Sequence, residues 1–181
     1  MDFIQNSEQI EGVQIATLKQ FSDERGVFCE IFRREWFPQV SWDKLQSNRS
    51  ISKANVLRGL HYHFKQVDYW YVPQGEIRAA LVDIRPHSPT YKQTQVIPMG
   101  GENNVGLFIP VGVAHGFYAV TDCTLTYYVN NYYDNSDEFG VAWHDSTFGL
   151  DWGNVGNPLI SERDANNPVL ADIPTEAMPT A

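Results

Sequence analysis

Short runs of β-branched and aromatic residues recur along the chain, and residues that favour turns separate them. Alternating or continuous apolar positions over such lengths are typical of β-strands. The turns include Pro73-Gln74-Gly75 and Gly100-Gly101. The predicted strands are 13–18, 27–32, 69–72, 77–84, 94–97, 105–109, 116–120 and 123–130. Many short strands at close spacing predict an all-β fold, either a sandwich or a barrel.

Helical periodicity is scarce in this sequence. Residues 34–46 predict at most one short helix, which Pro38 would interrupt. The strand pattern fades after about Trp152, where the tail becomes rich in proline. No linker-like segment divides the chain, so we expect one domain over 1–181, with a Pro-rich tail from about 165 that wraps over it.

Composition and charge exclude several classes of function. The chain has 181 residues, and hydrophobic residues make up 43% of them, which is enough for a packed core. Its 13 basic and 22 acidic residues give a formal net charge of −9, which argues against a nucleic-acid partner. Without a bilayer-length apolar run or a signal-peptide pattern, we expect no membrane partner and a cytoplasmic location. In that compartment Cys29 and Cys123 are expected to be free thiols in the core.

Two segments that contain histidine are the first candidates for chemistry. Residues 55–63 place Arg58, His61 and His63 in an otherwise apolar strand. Because His61 and His63 are two positions apart, they would share one face of that strand. His115 follows a turn that contains proline and glycine. Three of the five histidines therefore lie in two motif-like segments.

Two interpretations of these histidines remain open. In one, they bind a transition metal, with Asp68 or Gln66 as a further ligand. In the other, one histidine is a general base whose tautomer is set by a carboxylate, and no metal takes part. Arg25 and Arg58 could clamp a phosphate or diphosphate, and a tyrosine within 124–133 could supply a proton.

Several further motifs follow one another along the chain. They are Asp23-Glu24-Arg25-Gly26, Val56-Leu57-Arg58-Gly59-Leu60-His61, Val82-Asp83-Ile84-Arg85 with Ser88-Pro89-Thr90, Ile109-Pro110 with Ala114-His115-Gly116-Phe117, Asn131-Tyr132-Tyr133, Leu150-Asp151-Trp152 and Ser161-Glu162-Arg163-Asp164. In order and spacing they resemble the dTDP-4-dehydrorhamnose 3,5-epimerases, from about residue 10 to 171. The resemblance implies an all-β cupin, a double-stranded β-helix jelly roll with a few short helices. It also implies a homodimer with aromatic strands at its interface, which epimerises a nucleotide-linked 4-keto-6-deoxy sugar, dTDP-linked in the family, with no cofactor and no metal.

The resemblance assigns roles to individual residues. A base removes the acidic proton next to the C4 ketone, and an acid returns a proton to the opposite face. By resemblance His61 is the base, Asp164 is its partner and Tyr127 is the acid, placed by its spacing from the Asn-Tyr-Tyr motif. Counting forward from His115 gives Tyr128 instead. The substrate-binding positions that the resemblance implies are Arg25, Glu30, Gln46, Asn48, Arg58, Asp68, His115, Tyr128, Glu138 and Arg163.

The sequence departs from the family pattern around the expected sugar. Asp68 lies where the family usually has lysine, Ala79 where it has aspartate, and His63 where it has glutamine. These changes alter one wall of the sugar pocket, which leads to the hypothesis of a variant epimerase for a different 4-keto nucleotide sugar, or one that inverts a single centre. The alternatives are a metal-dependent cupin that uses His61, His63, Asp68 and His115, and a non-catalytic protein that binds nucleotide sugars.

Overall fold

The computed structural model describes residues 2–180, which form a β-rich fold with few helical turns. The strands are β1 (Ile4–Asn6), β2 (Gln14–Thr17), β3 (Gln20–Asp23), β4 (Gly26–Cys29), β5 (Gln46–Ser52), β6 (Leu57–Tyr62), β7 (Asp68–Gln74), β8 (Glu76–Asp83), β9 (Thr94–Gly100), β10 (Val105–Ile109), β11 (Val113–Ala119), β12 (Cys123–Val129) and β13 (Phe139–Gly140). The helical segments are α1 (Glu162–Ala165) and the 3-10 turns Arg34–Trp36, Asn135–Asp137, Leu170–Asp172 and Thr175–Ala177. No helix in residues 2–180 is long and apolar enough to cross a membrane.

Two antiparallel sheets face each other across the core. The larger sheet has six strands in the order β1-β2-β10-β7-β12-β5, and the smaller has five in the order β13-β6-β11-β8-β9. Strands far apart in the chain are neighbours in both sheets, which is typical of a jelly roll. The β3–β4 hairpin forms a separate two-stranded sheet. The all-β cupin fold implied by the resemblance is therefore confirmed.

The main apolar core lies between the two sheets. Trp70 on β7 and Leu107 on β10 enter it from the larger sheet, and Leu81 on β8 and Phe117 on β11 enter it from the smaller sheet. These side chains are almost completely buried. The packing fixes the separation of the sheets, and hence the width of any space left between them.

Both sheets are also covered on their outer faces. The C-terminal segment packs Trp152, Leu170 and Ile173 against the five-stranded sheet. On the six-stranded sheet, Phe37 and Trp42 belong to an aromatic cluster with side chains of β7 and β10. The C-terminal segment therefore wraps over the fold, as the sequence predicts, and central strands are buried on both faces.

The structure confirms the eight predicted strands, with ends shifted by a few residues. The predicted helix within 34–46 is wrong, because only Arg34–Trp36 forms a 3-10 turn. Phe37 and Trp42 anchor the following loop in the aromatic cluster, and tertiary packing thus overrides local preference. Strand β5 was not predicted, because its sequence QSNRSIS is largely polar.

Candidate active site

A cavity of about 270 Å³ lies between the two sheets. Pockets for drug-sized ligands span roughly 300–1,000 Å³, so this cavity encloses a small ligand, and part of a larger one would lie outside it. Most of the side chains predicted to be functional meet here. The lining residues are Gln46, Asn48, Ser50, Arg58, His61, His63, Gln66, Asp68, Trp70, His115, Gly116, Phe117, Leu125, Tyr127, Tyr133 and Glu138.

Strands β6 and β11 form the cavity wall on the five-stranded side. His61 on β6 pairs directly with His115 on β11, so both side chains project from the same face of the sheet. The two backbones approach closely at Gly59, where a Cβ atom would lie 2.6 Å from the Cα of Gly116. Gly59 also has a φ of +115°, a conformation that side chains disfavour. Glycine is therefore needed here for the close approach of the strands beside His61.

His61 and Asp164 form a hydrogen-bonded pair at the edge of this wall. Nε2 of His61 lies 2.7 Å from Oδ1 of Asp164. An ionised carboxylate only accepts hydrogen bonds, so Nε2 carries a hydrogen and Nδ1 of the neutral ring has the lone pair. The other carboxylate oxygen accepts the backbone N–H of Gly59 at 3.1 Å. Ser161 caps α1 by accepting the backbone N–H of Asp164, which holds this residue in place.

The electrostatics of the pair favour an ionised Asp164. Burial alone would raise the pKa of Asp164, but the hydrogen bonds to His61, Gly59 and Ser161 outweigh burial and lower that pKa below its usual value. The His61 side chain remains 26% exposed and lines the cavity. The pair can therefore accept a proton on the imidazole and stabilise the resulting positive charge.

Strands β5, β7 and β12 form the opposite wall, on the six-stranded side. Tyr127 on β12 pairs with Asn48 on β5 and with Trp70 on β7. The three side chains therefore form one row across the sheet, and all three line the cavity. His61 and Tyr127 thus reach the same space from opposite sheets.

Tyr127, rather than its neighbour Tyr128, faces the cavity. The Tyr128 ring stacks on Phe32, with ring centroids 4.6 Å apart, and belongs to the aromatic cluster on the outer face of the sheet. Burial, together with the carboxylates of Asp68 and Glu138, raises the pKa of Tyr127 despite one nearby arginine. The Tyr127 hydroxyl is therefore protonated at neutral pH and can donate a proton.

His63, Asp68 and His115 form a buried cluster in the cavity lining. Oδ2 of Asp68 lies 3.9 Å from Nε2 of each histidine. The Gln66 amide donates to Oδ2 of Asp68 at 3.0 Å, and the Trp70 indole N–H donates to Oδ1 at 3.2 Å. Burial lowers the pKa of His115 to about 4, against the opposing effect of Asp68, so its imidazole is neutral at neutral pH. Two imidazoles and a carboxylate are also a ligand set suited to a divalent metal.

The remaining polar side chains of the lining end in amide or charged groups. Gln46 donates to Asn48 at 2.9 Å, and both side chains belong to β5. Glu138 pairs with Arg163 at 2.8 Å, which places Arg163 next to the lining. Among the lining residues of the described chain, Arg58 is the one permanent cation. An anionic group of a ligand would therefore approach Arg58.

The sequence model of the dTDP-4-dehydrorhamnose 3,5-epimerase family matches residues 7–172 of this chain. The chain belongs to this family. The dTDP-4-dehydrorhamnose 3,5-epimerase of Shigella flexneri is 36% identical over 171 residues, which cover 91% of this chain and 94% of the relative. Family membership therefore places the chain among the isomerases, as an epimerase of dTDP-linked sugars.

Solved structures of dTDP-sugar epimerases have closely similar folds. One is the dTDP-6-deoxy-D-glucose-3,5-epimerase of Legionella pneumophila in complex with dTDP-4-keto-L-rhamnose. It is 34% identical with a TM-score of 0.90, and the match covers 98% of this chain and 97% of that one. Another is ChmJ, a 3'-monoepimerase from Streptomyces bikiniensis, in complex with dTDP-quinovose. It is 32% identical with a TM-score of 0.90, over 97% of this chain and 93% of that one.

Three predicted site residues of this dTDP-4-dehydrorhamnose 3,5-epimerase family member lie away from the cavity. Arg25 is at the tip of the β3–β4 hairpin, where it pairs with Asp23 and keeps 84% of its side chain exposed. Glu30 follows the hairpin and pairs with Arg33. Tyr128 lies on the outer face of its sheet. The other predicted residues line the cavity or, in the case of Asp164 and Arg163, contact a residue that does.

Prediction from the sequence missed several lining residues that the two-residue alternation of side chains along a strand would have identified. Alternate residues of a strand face the same side. Accordingly, each missed residue is two positions from a predicted one on the same strand. They are Ser50 beside Asn48, Trp70 beside Asp68, Phe117 beside His115 and Leu125 beside Tyr127.

Proposed function

We propose that this chain epimerises a dTDP-linked 4-keto-6-deoxy sugar through the removal and return of a proton next to the C4 ketone. The main support is that His61, which is hydrogen-bonded to Asp164, and Tyr127 line one cavity from opposite sheets. A sugar ring between the sheets would have a base on one face and an acid on the other. Inversion of a carbon centre requires this arrangement, because the proton must leave and return on opposite faces.

The first step is removal of a proton from C3 or C5. The C4 carbonyl makes these protons acidic, because it delocalises the negative charge as an enolate. Nδ1 of His61 accepts the proton through its lone pair, and Asp164 stabilises the imidazolium that forms. Arg58 is the cation in the lining that can balance negative charge on the substrate.

The second step is protonation of the enolate carbon from the opposite side. The Tyr127 hydroxyl gives its proton to that carbon and becomes a phenolate, and the carbonyl forms again. Solvent then returns a proton to Tyr127 and removes one from His61. The protein ends each turnover in its starting state.

The identity of the sugar depends on the wall around Asp68. By resemblance a lysine would occupy position 68 and an aspartate position 79, where this chain has Asp68 and Ala79. We therefore propose a substrate, or a number of inverted centres, that differs from the family standard. The fold is compatible with single inversion, since its neighbour ChmJ is a 3'-monoepimerase.

Proton exchange with solvent tests both parts of this proposal. The protein would be incubated with dTDP-4-keto-6-deoxyglucose in D2O, and the C3 and C5 protons would be followed by NMR. Exchange at one centre would support single inversion, and exchange at both with accumulation of the rhamno isomer would contradict a variant specificity. If neither proton exchanges, other 4-keto nucleotide sugars are tested in the same way, and failure of all of them contradicts epimerisation.

We further propose a homodimer in which the β3–β4 hairpin of one copy completes the cavity of the other. The hairpin exposes Phe21, Val27 and Phe28, and an isolated hairpin is marginally stable. Arg25 at its tip would add a second cation for a diphosphate, which Arg58 alone does not neutralise. Burial of this hairpin against a second copy would also explain its apolar surface.

Mixed dimers distinguish a shared cavity from a self-contained one. Arg25→Ala and His61→Asn should each lack activity alone. When co-expressed, they should regain activity, because one cavity of each mixed dimer then has an intact His61 and the other copy's intact Arg25. Absence of recovery despite formation of mixed dimers would contradict the shared cavity.

We also propose a cytoplasmic location. Cys29 and Cys123 are free thiols, as the sequence predicts, although only Cys123 is buried and Cys29 is partly exposed. Free thiols are typical of a reducing compartment.

A further inference from the structure

The cluster of His63, Asp68 and His115 has the composition of a metal site. One ligand atom from each residue lies within 4.8 Å of the other two. Two imidazole nitrogens and one carboxylate oxygen suit Zn²⁺, Fe²⁺ or Co²⁺ better than Ca²⁺ or Mg²⁺, which prefer oxygen alone. All three residues are buried, with exposures of 3–5%.

Hydrogen bonds orient both imidazoles for metal binding. Nδ1 of His63 lies 2.7 Å from the carbonyl oxygen of Asp137, and Nδ1 of His115 lies 2.8 Å from that of Val113. A carbonyl oxygen only accepts, so each Nδ1 carries the hydrogen and each neutral ring has its lone pair on Nε2. Both Nε2 atoms point towards Asp68. Metal-binding histidines typically donate their second N–H to a carbonyl in this way.

The distances leave room for an ion between the three groups. Each Nε2 lies 3.9 Å from Oδ2 of Asp68, which is too long for a hydrogen bond. Two atoms bound to one ion at about 2.1 Å lie roughly 3.0–3.5 Å apart. Each Nε2–Asp68 distance would therefore contract by about half an ångström, and the widest separation in the cluster, up to 4.8 Å, by up to about 1.5 Å. The side-chain amide nitrogen of Gln66 lies 3.3 Å from Nε2 of His63. By contrast, Nε2 of His115 has no hydrogen-bond partner among residues 2–180 and is free to bind an ion.

The charge of the cluster also calls for a cation. Asp68 is 3% exposed, and within the described chain no lysine or arginine lies within 4.0 Å of its carboxylate. The Gln66 amide and the Trp70 indole donate hydrogen bonds to this carboxylate, but neither group carries a charge. A positive charge beside the buried carboxylate would therefore be favourable. His61 does not take part, because its Nε2 is bonded to Asp164.

We propose that His63, Asp68 and His115 bind one divalent transition-metal ion, with its remaining coordination positions open to the cavity. All three residues line the cavity, so a ligand oxygen can complete the coordination sphere. This differs from the metal-free catalysis that the resemblance implies. If the proposed function holds, an ion held by these three residues would act as a Lewis acid towards the C4 oxygen of the sugar and would stabilise the enolate, while His61 would hold the proton. The ion changes neither charge nor oxidation state in this step.

Metal binding is tested on the intact protein after treatment with a chelator and removal of the chelator. Zn²⁺ and Co²⁺ are titrated separately, by calorimetry and by visible absorption of Co²⁺. We expect one equivalent to bind, with Co²⁺ absorption bands and shifts of two imidazole spin systems in wild-type protein. Binding well below one equivalent, or binding that leaves the His63 and His115 imidazole signals unshifted, would overturn the proposal without any variant.

Substitutions locate the ion. Asp68→Asn and His63→Gln should each weaken Co²⁺ binding by more than about 100-fold, because each removes a direct ligand. His87→Gln is the matched control on the exposed surface, and His61→Asn is the control inside the cavity. Both controls should bind Co²⁺ as the wild type does. Unchanged affinity in His63→Gln, or loss in His61→Asn, would contradict the assigned ligands.

Proton exchange tests whether the bound ion takes part in catalysis, independently of whether it binds. Exchange of the sugar protons should fall on removal of the ion and return on reloading with Zn²⁺. Equal exchange with and without the ion would overturn its part in catalysis and leave the epimerase proposal intact. Absence of exchange in both states would contradict the epimerase proposal, whereas the metal titration is decided independently.

Discussion

Replacement of Asp164 by asparagine tests the proposed base most directly, because it retains the shape of the side chain. The asparagine amide has one oxygen, which accepts, and one NH2 group, which donates. The backbone N–H of Gly59 lies 3.1 Å from one carboxylate oxygen and needs an acceptor there, so the NH2 group turns towards His61. Nε2 of His61 must then accept, which moves the ring hydrogen to Nδ1. The lone pair proposed to take the substrate proton is lost.

The expected size of this effect follows from the role of the pair. A positioned general base contributes about 10²–10⁴-fold to rate. The same substitution in a Ser-His-Asp triad lowers kcat by about 10⁴-fold through the wrong tautomer. We expect Asp164→Asn to slow exchange of the sugar protons by about 10³-fold, or about 4 kcal/mol of activation free energy. Binding of dTDP should change by less than about threefold, because the pair acts on the reacting carbon.

The assay is the NMR exchange measurement in D2O, with circular dichroism to check folding. Asp172→Asn is the matched control, since it makes the same chemical change at an exposed position outside the cavity. It should exchange at the wild-type rate. A decrease of less than about tenfold in a folded Asp164→Asn protein would refute the tautomer argument.

Three further predictions concern the acid and the stability of the fold. Tyr127→Phe should impair inversion at C5 more than proton exchange in D2O. Tyr128→Phe should leave inversion unchanged, because the Tyr128 ring stacks on Phe32 outside the cavity. The opposite result would make Tyr128 the acid. Asp83 is fully buried, and its carboxylate lies 2.7 Å from the Arg85 guanidinium. Burial alone would raise the pKa of Asp83, but hydrogen bonds from Arg85, Ser88 and Thr90 outweigh burial and lower it. Asp83→Asn should therefore lose about 3 kcal/mol of unfolding free energy at pH 7. This loss should shrink as pH falls below the ordinary aspartate pKa of about 3.9. The carboxylate of the unfolded chain is protonated first, and the folded one, with its lowered pKa, only at still lower pH. A pH-independent difference in urea unfolding would contradict the ion pair. Tyr69→Phe should raise stability by about 1 kcal/mol in the same assay, because the buried Tyr69 hydroxyl has no partner among residues 2–180; destabilisation would indicate that this hydroxyl is satisfied.

The sequence predicts the strands well where side-chain burial follows a simple period. Strand β10 matches its predicted bounds because all five of its residues are buried. The polar strand β5 has no such pattern, and its position depends on pairing with β12. The predicted helix failed for a related reason, since contacts of Phe37 and Trp42 with distant strands determine the local backbone.

The candidate site was predictable in its residues more than in its geometry. Motif resemblance brought His61 and Asp164 together, and the structure joins them by a hydrogen bond. The sequence could not decide between Tyr127 and Tyr128, because adjacent residues of a strand face opposite sides of the sheet. In the structure, Tyr128 stacks on Phe32 on the outer face, so Tyr127 faces the cavity. The location of Arg25 on a separate hairpin also depends on tertiary structure.

The placement of His61 and Tyr127 on different sheets has a consequence for how stereochemistry can evolve. In the proposed mechanism, activation of the C–H bond depends on His61 on the five-stranded sheet, whereas the face that receives the new proton depends on Tyr127 on the six-stranded sheet. Substitutions on β5, β7 or β12 can therefore change which product accumulates while the ability to break the C–H bond persists. We expect duplicated genes of this fold to acquire new products through such one-sided changes, in steps that each leave a working enzyme.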